Sequence, residues 1–258
     1  MARRHLGALM RWPDALHIDA QRGVTLAFAP HARDAGWARI NTALREQGLI
    51  VAWRDEPYAV VDPHSGRPLA VIERAASRFW GTLTLGAHCN GYVAGADGRP
   101  THLWIARRSL SKATDPGLLD NLVGGGVPFG QTPFETLVRE GFEEAGLSPA
   151  QMRSAQPGRV IELRRDIAEG LQHERLHVFD LALPAGVQPV NQDGEVAELH
   201  CLPVAEALAL AAGDTMTVDA SLATLDFALR HRLLPANLHQ HLRALSEGLW
   251  CGPASLDR

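Results

Sequence analysis

The stretch GGGVPFGQTPFETLVREGFEEAGL, residues 124–147, limits what this chain can fold into more than any other part of it. Thr132-Pro133-Phe134-Glu135 has the T-x-x-E form of a capping box with proline at the first helical position, which predicts a helix beginning at Pro133. Phe134, Leu137, Val138, Phe142 and Ala145 fall in one arc at about 100° per residue. Gly146 stands where a left-handed residue closes such a helix. The expectation is an amphipathic helix of about three turns.

On the same wheel Glu140, Glu143 and Glu144 stand at i, i+3 and i+4, so their side chains leave adjoining turns of one face. Like charges at this spacing repel by a few tenths of a kcal/mol per pair on an isolated helix, and Arg139 offsets them locally. Two readings account for such a face. One is a solvated acidic surface. The other is a site for a hard divalent cation, Mg²⁺ or Mn²⁺, which takes oxygen ligands from carboxylates and leaves its remaining positions to water and phosphate.

Composition narrows the field. At 258 residues, 46% hydrophobic and 21% charged, the chain reads as an ordinary globular protein of one large or two modest domains. The net charge of −4 argues against general nucleic-acid binding, so an anionic substrate has to be met locally by metal and a few cations. No membrane-spanning run and no secretory signal are read in the sequence. Cys89, Cys201 and Cys251 make no paired metal spacing, and a reducing, cytoplasmic setting is expected.

Along the chain, residues 34–47 carry Trp37, Ile40 and Leu44 at helical spacing, closed by Gly48. LIVAW and YAVV, separated by Asp55-Glu56-Pro57, read as short strands, and residues 62–66 as a turn before the strand LAVI. These elements make a small α+β extension, with the boundary drawn between 1–76 and 77–258. From Leu83 onward the pattern is strand-rich, with a hairpin after the acidic helix and helices from Val204. In the longest of those, Val218, Leu222, Leu225 and Leu229 are expected on the inner face.

Gly125, Gln131, Arg139-Glu140, Glu143-Glu144, Gly146 and Leu147 resemble the Nudix box, G-x5-E-x7-R-E-U-x-E-E-x-G-U, where U is a bulky aliphatic residue. Seven of the nine specified positions agree. The departures are Gln131 in place of the family glutamate and Gly141 in place of the first aliphatic residue. Gly141 costs about 1 kcal/mol against alanine inside a helix, which would make sense if the helix passes close to a strand there. The resemblance implies an α+β Nudix fold, a mixed β-sheet sandwiched by helices, and hydrolysis of a diphosphate linkage. It also implies Mg²⁺ (or Mn²⁺) held by Glu140 and Glu144 with a carbonyl of Gly124 or Gly125. Glu143 would serve as ligand or water-orienting base, Arg139 would orient the cluster, and Glu195 would be the distant carboxylate of a late loop.

AHCNGYV at 87–93, WIARRSLSKATDPGLLDNLVGGGVPFG at 104–130 and DGEVAEL at 193–199 are similar to the Nudix region fused ahead of some thiamine pyrophosphokinases. That similarity implies a small-molecule substrate, a diphosphate of oxidised thiamine cut to the monophosphate. Nucleoside-diphosphate derivatives and a non-catalytic Nudix ligand sensor are the alternatives. The isopentenyl diphosphate isomerases share the R-R-S-x-x-K pattern but need a cysteine after P-G, where this chain has LLDNLVGGG. Arg107, Arg108 and Lys112 are the expected phosphate contacts, with at most one of the two arginines facing the site from a regular strand. His88, Asn90 and Trp104 are the expected contacts to a heterocycle. The oligomeric state, homodimer included, stays open.

Overall fold

Asn41 and Trp37 show how the first part of the chain is assembled. Helix α2 (Arg33–Glu46) turns Trp37, Ile40 and Leu44 inward, and its buried Asn41 accepts a 2.7 Å hydrogen bond from the Trp80 indole on α3 (Arg74–Trp80). The computed structural model describes residues 1–19 and 23–251. Before α2 come a single turn α1 (Leu6–Leu9) and the hairpin β1 (Leu16–Asp19) with β2 (Gly23–Leu26). A second antiparallel hairpin, β3 (Pro57–Val61) with β4 (Pro68–Glu73), sets Tyr58 opposite Ile72.

The YAVV and LAVI strands are thus present, but LIVAW is not a strand. The amides of Leu49 and Ile50 donate to the Leu44 carbonyl, and Ala52 and Asp55 take left-handed φ values of 59° and 58°. Either interruption ends an extended run. The following backbone is held by Glu73, whose carboxylate accepts from the amides of Arg54 and Glu56 and also caps α3.

The chain divides into two compact units, each discontinuous in sequence: residues 1–84 with 128–130 and 163–174, and residues 85–127 with 131–162 and 175–258. An eight-stranded sheet in the order β11–β6–β5–β10–β9–β12, with β7 on β6 and β8 on β5, has most of its residues in the second unit. Its strands are β5 (Leu83–Ala94), β6 (Pro100–Arg108), β7 (Leu119–Asn121), β8 (Val123–Gly126), β9 (Gln156–Ile167), β10 (Gly170–Ala182), β11 (Val196–Pro203) and β12 (Trp250–Cys251). The helices are α4 (Pro133–Ala145), α5 (Pro149–Met152), α6 (Val204–Ala211), α7 (Val218–Arg230) and α8 (Ala236–Ser246). This is the mixed α+β architecture expected.

Alternation along the strands separates two cores. Ala87, Cys89 and Trp104 pack with Leu137 and Ala145 of α4, whereas Leu103 and Ile105 pack with Ala207 of α6 and Ala220 and Phe227 of α7. Helices therefore cover both faces. The inner face of α7 differs from expectation. Val218 is exposed and Leu222 and Leu225 are half-buried, while Ala220, Ala223, Thr224 and Phe227 are buried, with Leu229. Small residues let the helix lie close, so the bulkier leucines are left at its flanks.

Candidate active site on the acidic helix

The Thr132 capping box forms as the sequence requires. Thr132 Oγ1 accepts from the Glu135 amide at 3.2 Å, the Glu135 carboxylate accepts from the Thr132 amide at 2.8 Å, and Gly146 closes α4 at φ 64°. Two details of the helix differ. Phe142 is 54% exposed and lies outside the apolar arc. Gly141 faces Met152 of α5 and not a strand, and a Cβ there would stand 2.5 Å from the Met152 sulfur.

The three glutamates occupy unlike surroundings. Glu144 is buried and accepts from the Gly124 amide at 2.9 Å and from Lys112 Nζ at 3.3 Å. Burial pushes its carboxyl up to about 7, against the pull of Lys112 and with the Glu140 charge adding to the rise. Glu140 lies against Gly125, where a Cβ would stand 2.5 Å from its Oε1. Burial raises Glu140 as well, and Arg139 opposes the rise. The Arg139 guanidinium spans Glu140 at 2.8 Å and Glu143 at 2.6 Å. Gln131 Oε1 accepts from Thr136 Oγ1 at 3.0 Å and from Arg139 Nε at 3.5 Å, so the amide stands where the family glutamate would and meets the same arginine.

Glu195 reaches the helix through its loop. The Val190 and Gln192 amides bond to the carbonyls of Ala145 and Glu143, and the Ser109 amide bonds to the Glu195 carbonyl. Lys112 Nζ contacts both Glu195 and Glu144. Glu140, Glu143, Glu144, Arg139, Glu195, Lys112, Gly124 and Gly125 are brought into one connected network.

The arginines part company, as strand alternation requires. Arg108 pairs with the buried Asp120 at 2.8 Å and donates to the carbonyls of Thr114 and Asp115, while Arg107 pairs with Glu198 at 2.9 Å and donates to the Gly117 carbonyl. Asp120 was missed by sequence reasoning. It accepts from Arg108, lies 3.6 Å from His88 Nδ1 and raises Glu144 electrostatically. A lone Asp-Asn pair before the glycine run gives no spacing that marks it.

His88 and Asn90 lie on the other parity of β5 from Ala87 and Cys89. His88 Nδ1 is 2.9 Å from Asn121 Oδ1. The Asn90 amide group donates to Asp180 and to the Ala223 carbonyl, and its oxygen accepts from Asn121. Asn90 is thus placed with α7 and not with α4. Trp104 is enclosed in the α4 core at 5% exposure, so it offers no open aromatic face.

An all-oxygen donor set on one helix, with Glu140 admitted by Gly125 and Glu144 held by the Gly124 amide, suits a hard divalent cation. In this conformation no group of three His, Cys, Asp or Glu side chains among the described residues is gathered closely enough to hold a metal ion. The Lys112 ammonium stands between Glu144 and Glu195 instead.

The family model for the NUDIX domain matches residues 88–220, more than half of the chain. The chain belongs to the NUDIX domain family. A second model, a domain of unknown function (DUF4743), matches residues 1–84. Among curated relatives, chloroplastic Nudix hydrolase 24 of Arabidopsis thaliana is 36% identical over 80% of this chain and 56% of its own length. Chloroplastic Nudix hydrolase 20 of the same plant is 37% identical over 83% of this chain and 59% of its own length. This NUDIX chain therefore spans less than three fifths of either relative. A solved structure, DR0079 from Deinococcus radiodurans, is 26% identical and covers 65% of this chain and 97% of its own, with a TM-score of 0.49. No helix among the described residues is long and apolar enough to cross a membrane.

Proposed function

We propose that this chain is a metal-dependent pyrophosphohydrolase acting on a small-molecule diphosphate, and that its substrate is a thiamine-type diphosphate cut to the monophosphate and phosphate. The observation that carries the hydrolase reading is the network of Glu140, Glu144, Glu195 and Lys112 closed over Gly124 and Gly125. Glu140 and Glu144, with Glu143 and a carbonyl of Gly124 or Gly125, would hold Mg²⁺ (or Mn²⁺). When bound, such an ion would supply charge neutralisation at the diphosphate oxygens and activation of water.

The chain's own residues do the rest. Arg139 fixes the directions of Glu140 and Glu143. Lys112 and Arg108 bring positive charge to the phosphates, and Glu195 orients the water from its tethered loop. The thiamine-type substrate rests on the similarity of 87–93, 104–130 and 193–199 to the thiamine-associated Nudix region. The boundary at residue 76 and a cytoplasmic setting belong to the same reading.

The test is a competition assay at saturating Mg²⁺. Oxidised thiamine diphosphates are expected to exceed intact thiamine diphosphate in kcat/KM, and to exceed ADP-ribose and nucleotide sugars. A nucleotide derivative ahead by about tenfold, which is 1.4 kcal/mol in transition-state binding, would overturn the substrate and leave the hydrolase. Glu140→Gln and Glu144→Gln are each expected to lower turnover by about 10²-fold or more while the chain stays folded. Binding of the whole panel without turnover of any member would favour the ligand sensor.

A further inference from the structure

Within the second unit, away from the acidic helix, a cavity of about 590 Å³ is lined by Arg159, Arg230, Arg232, His239 and Arg243. No residue lining it is acidic. Two of the four arginines are engaged from the protein side. Arg159 lies 3.3 Å from Asp226 and stacks over the Trp250 ring at 3.7 Å. Arg230 pairs with Asp180 and with Asp226, the latter at 2.6 Å. Both carboxylates are buried, so their charge is answered from inside. Arg232 and Arg243 are exposed at the opening and add positive charge that these two carboxylates do not balance, on a chain whose net charge is −4. Helix α8 also begins on this wall at Ala236, and its N-cap Pro235 supplies no side-chain cap. The first amides of α8 add to the field, but the cavity and its arginines carry the inference.

Guanidinium forks match phosphate oxygens in pairs, and a concave wall of them concentrates the field. A surface stripe serving a long polyanion would not need a cavity. We propose that this cavity is a second anion site, which takes the phosphate group of a small phosphorylated molecule without a metal ion. Except for Arg159, its cations lie beyond residue 220, where the NUDIX match ends. The site does not depend on the hydrolase reading, because it uses none of the residues of the acidic helix.

The experiment is calorimetric titration of the full chain with inorganic phosphate at low ionic strength, with EDTA present to remove divalent ions. Saturable binding is expected, unchanged in Glu140→Gln and weakened by about tenfold or more in Arg232→Gln/Arg243→Gln, since charge-assisted hydrogen bonds to the anion are removed. Arg243→Lys keeps the charge but not the fork and is expected to bind with an affinity between those of the parent and Arg243→Gln. Melting curves report folding of each variant. If the double variant melts early, Arg243→Gln alone, at an exposed position, carries the same expectation with a smaller loss. Absence of saturable binding up to about 10 mM phosphate, which is weaker than about 3 kcal/mol, overturns the proposal. So does binding that survives the arginine variants or is lost in Glu140→Gln.

Discussion

Replacing Gly125 with alanine would put a methyl group where the Glu140 carboxylate rests. The new carbon would stand 2.5 Å from Glu140 Oε1, 2.6 Å from Cδ and 2.8 Å from Cγ. Non-bonded carbons settle at about 3.5–4.0 Å, so one partner has to give by about 1 Å. The β8 backbone is poorly placed to do so, because Gly125 is in register opposite Ala87 of β5. The end of Glu140 moves instead and drags the Arg139 contact with it. Misplacing a group by about 1 Å costs about 10²-fold in rate, and that is the expected fall in kcat/KM for Mg²⁺-dependent phosphate release. Overpacking costs about 1–3 kcal/mol, and the lower end applies because a side-chain terminus yields. Gly186→Ala is the control, since a Cβ there meets nothing within 4 Å. Activity of Gly125→Ala within about threefold of the control, which is under 1 kcal/mol, would refute the placement of the Glu140 carboxylate against Gly125.

Glu144 supplies a pH prediction. Burial raises its carboxyl from 4.5 to about 7, so the folded chain keeps a proton that the unfolded chain releases. With divalent ions chelated, stability from this group is full below about pH 4.5, falls between about 4.5 and 7 and is flat above, by up to about 3 kcal/mol. The melting temperature of Glu144→Gln is expected to gain on the parent between about pH 5 and pH 8, and a constant difference would contradict this. Alanine at Arg108 or Lys112 is expected to raise KM more than it lowers kcat if these cations hold the phosphates equally in ground and transition states; steady-state kinetics at saturating Mg²⁺ decide it. Gln131→Glu is expected to keep activity and tighten Mg²⁺ binding measured by calorimetry, and a large loss of turnover would show that the amide has a role of its own.

The sequence was legible where local rules act. Thr132, Pro133 and Gly146 specify both ends of α4 without help from the rest of the chain, and the i, i+3, i+4 spacing of the glutamates follows from helix geometry alone. Residues 49–53 were misread because apolar content resembles a strand, whereas the outcome was set by left-handed turns at Ala52 and Asp55. Gly141 was understood as a point of close approach, but that its neighbour is Met152 depends on how α5 folds back. Asp120 could not be found by spacing. Its place beside Arg108 and His88 is made by the pairing of β7 with β6 and of β8 with β5, which are tertiary facts.

The hairpin of β9 and β10 has a bearing on how this molecule can be cut or recombined. Its distal part, residues 163–174, belongs to the unit formed by residues 1–84, and Gly170 there lies so near Arg78 that a Cβ would stand 2.5 Å from its carbonyl oxygen. A gene fragment starting after residue 84 would encode that loop while omitting the surface it was shaped to meet. The leading segment is therefore not a detachable cassette. Grafting it onto another NUDIX domain requires transplanting the hairpin end along with it, and inheritance should keep the two stretches changing in step.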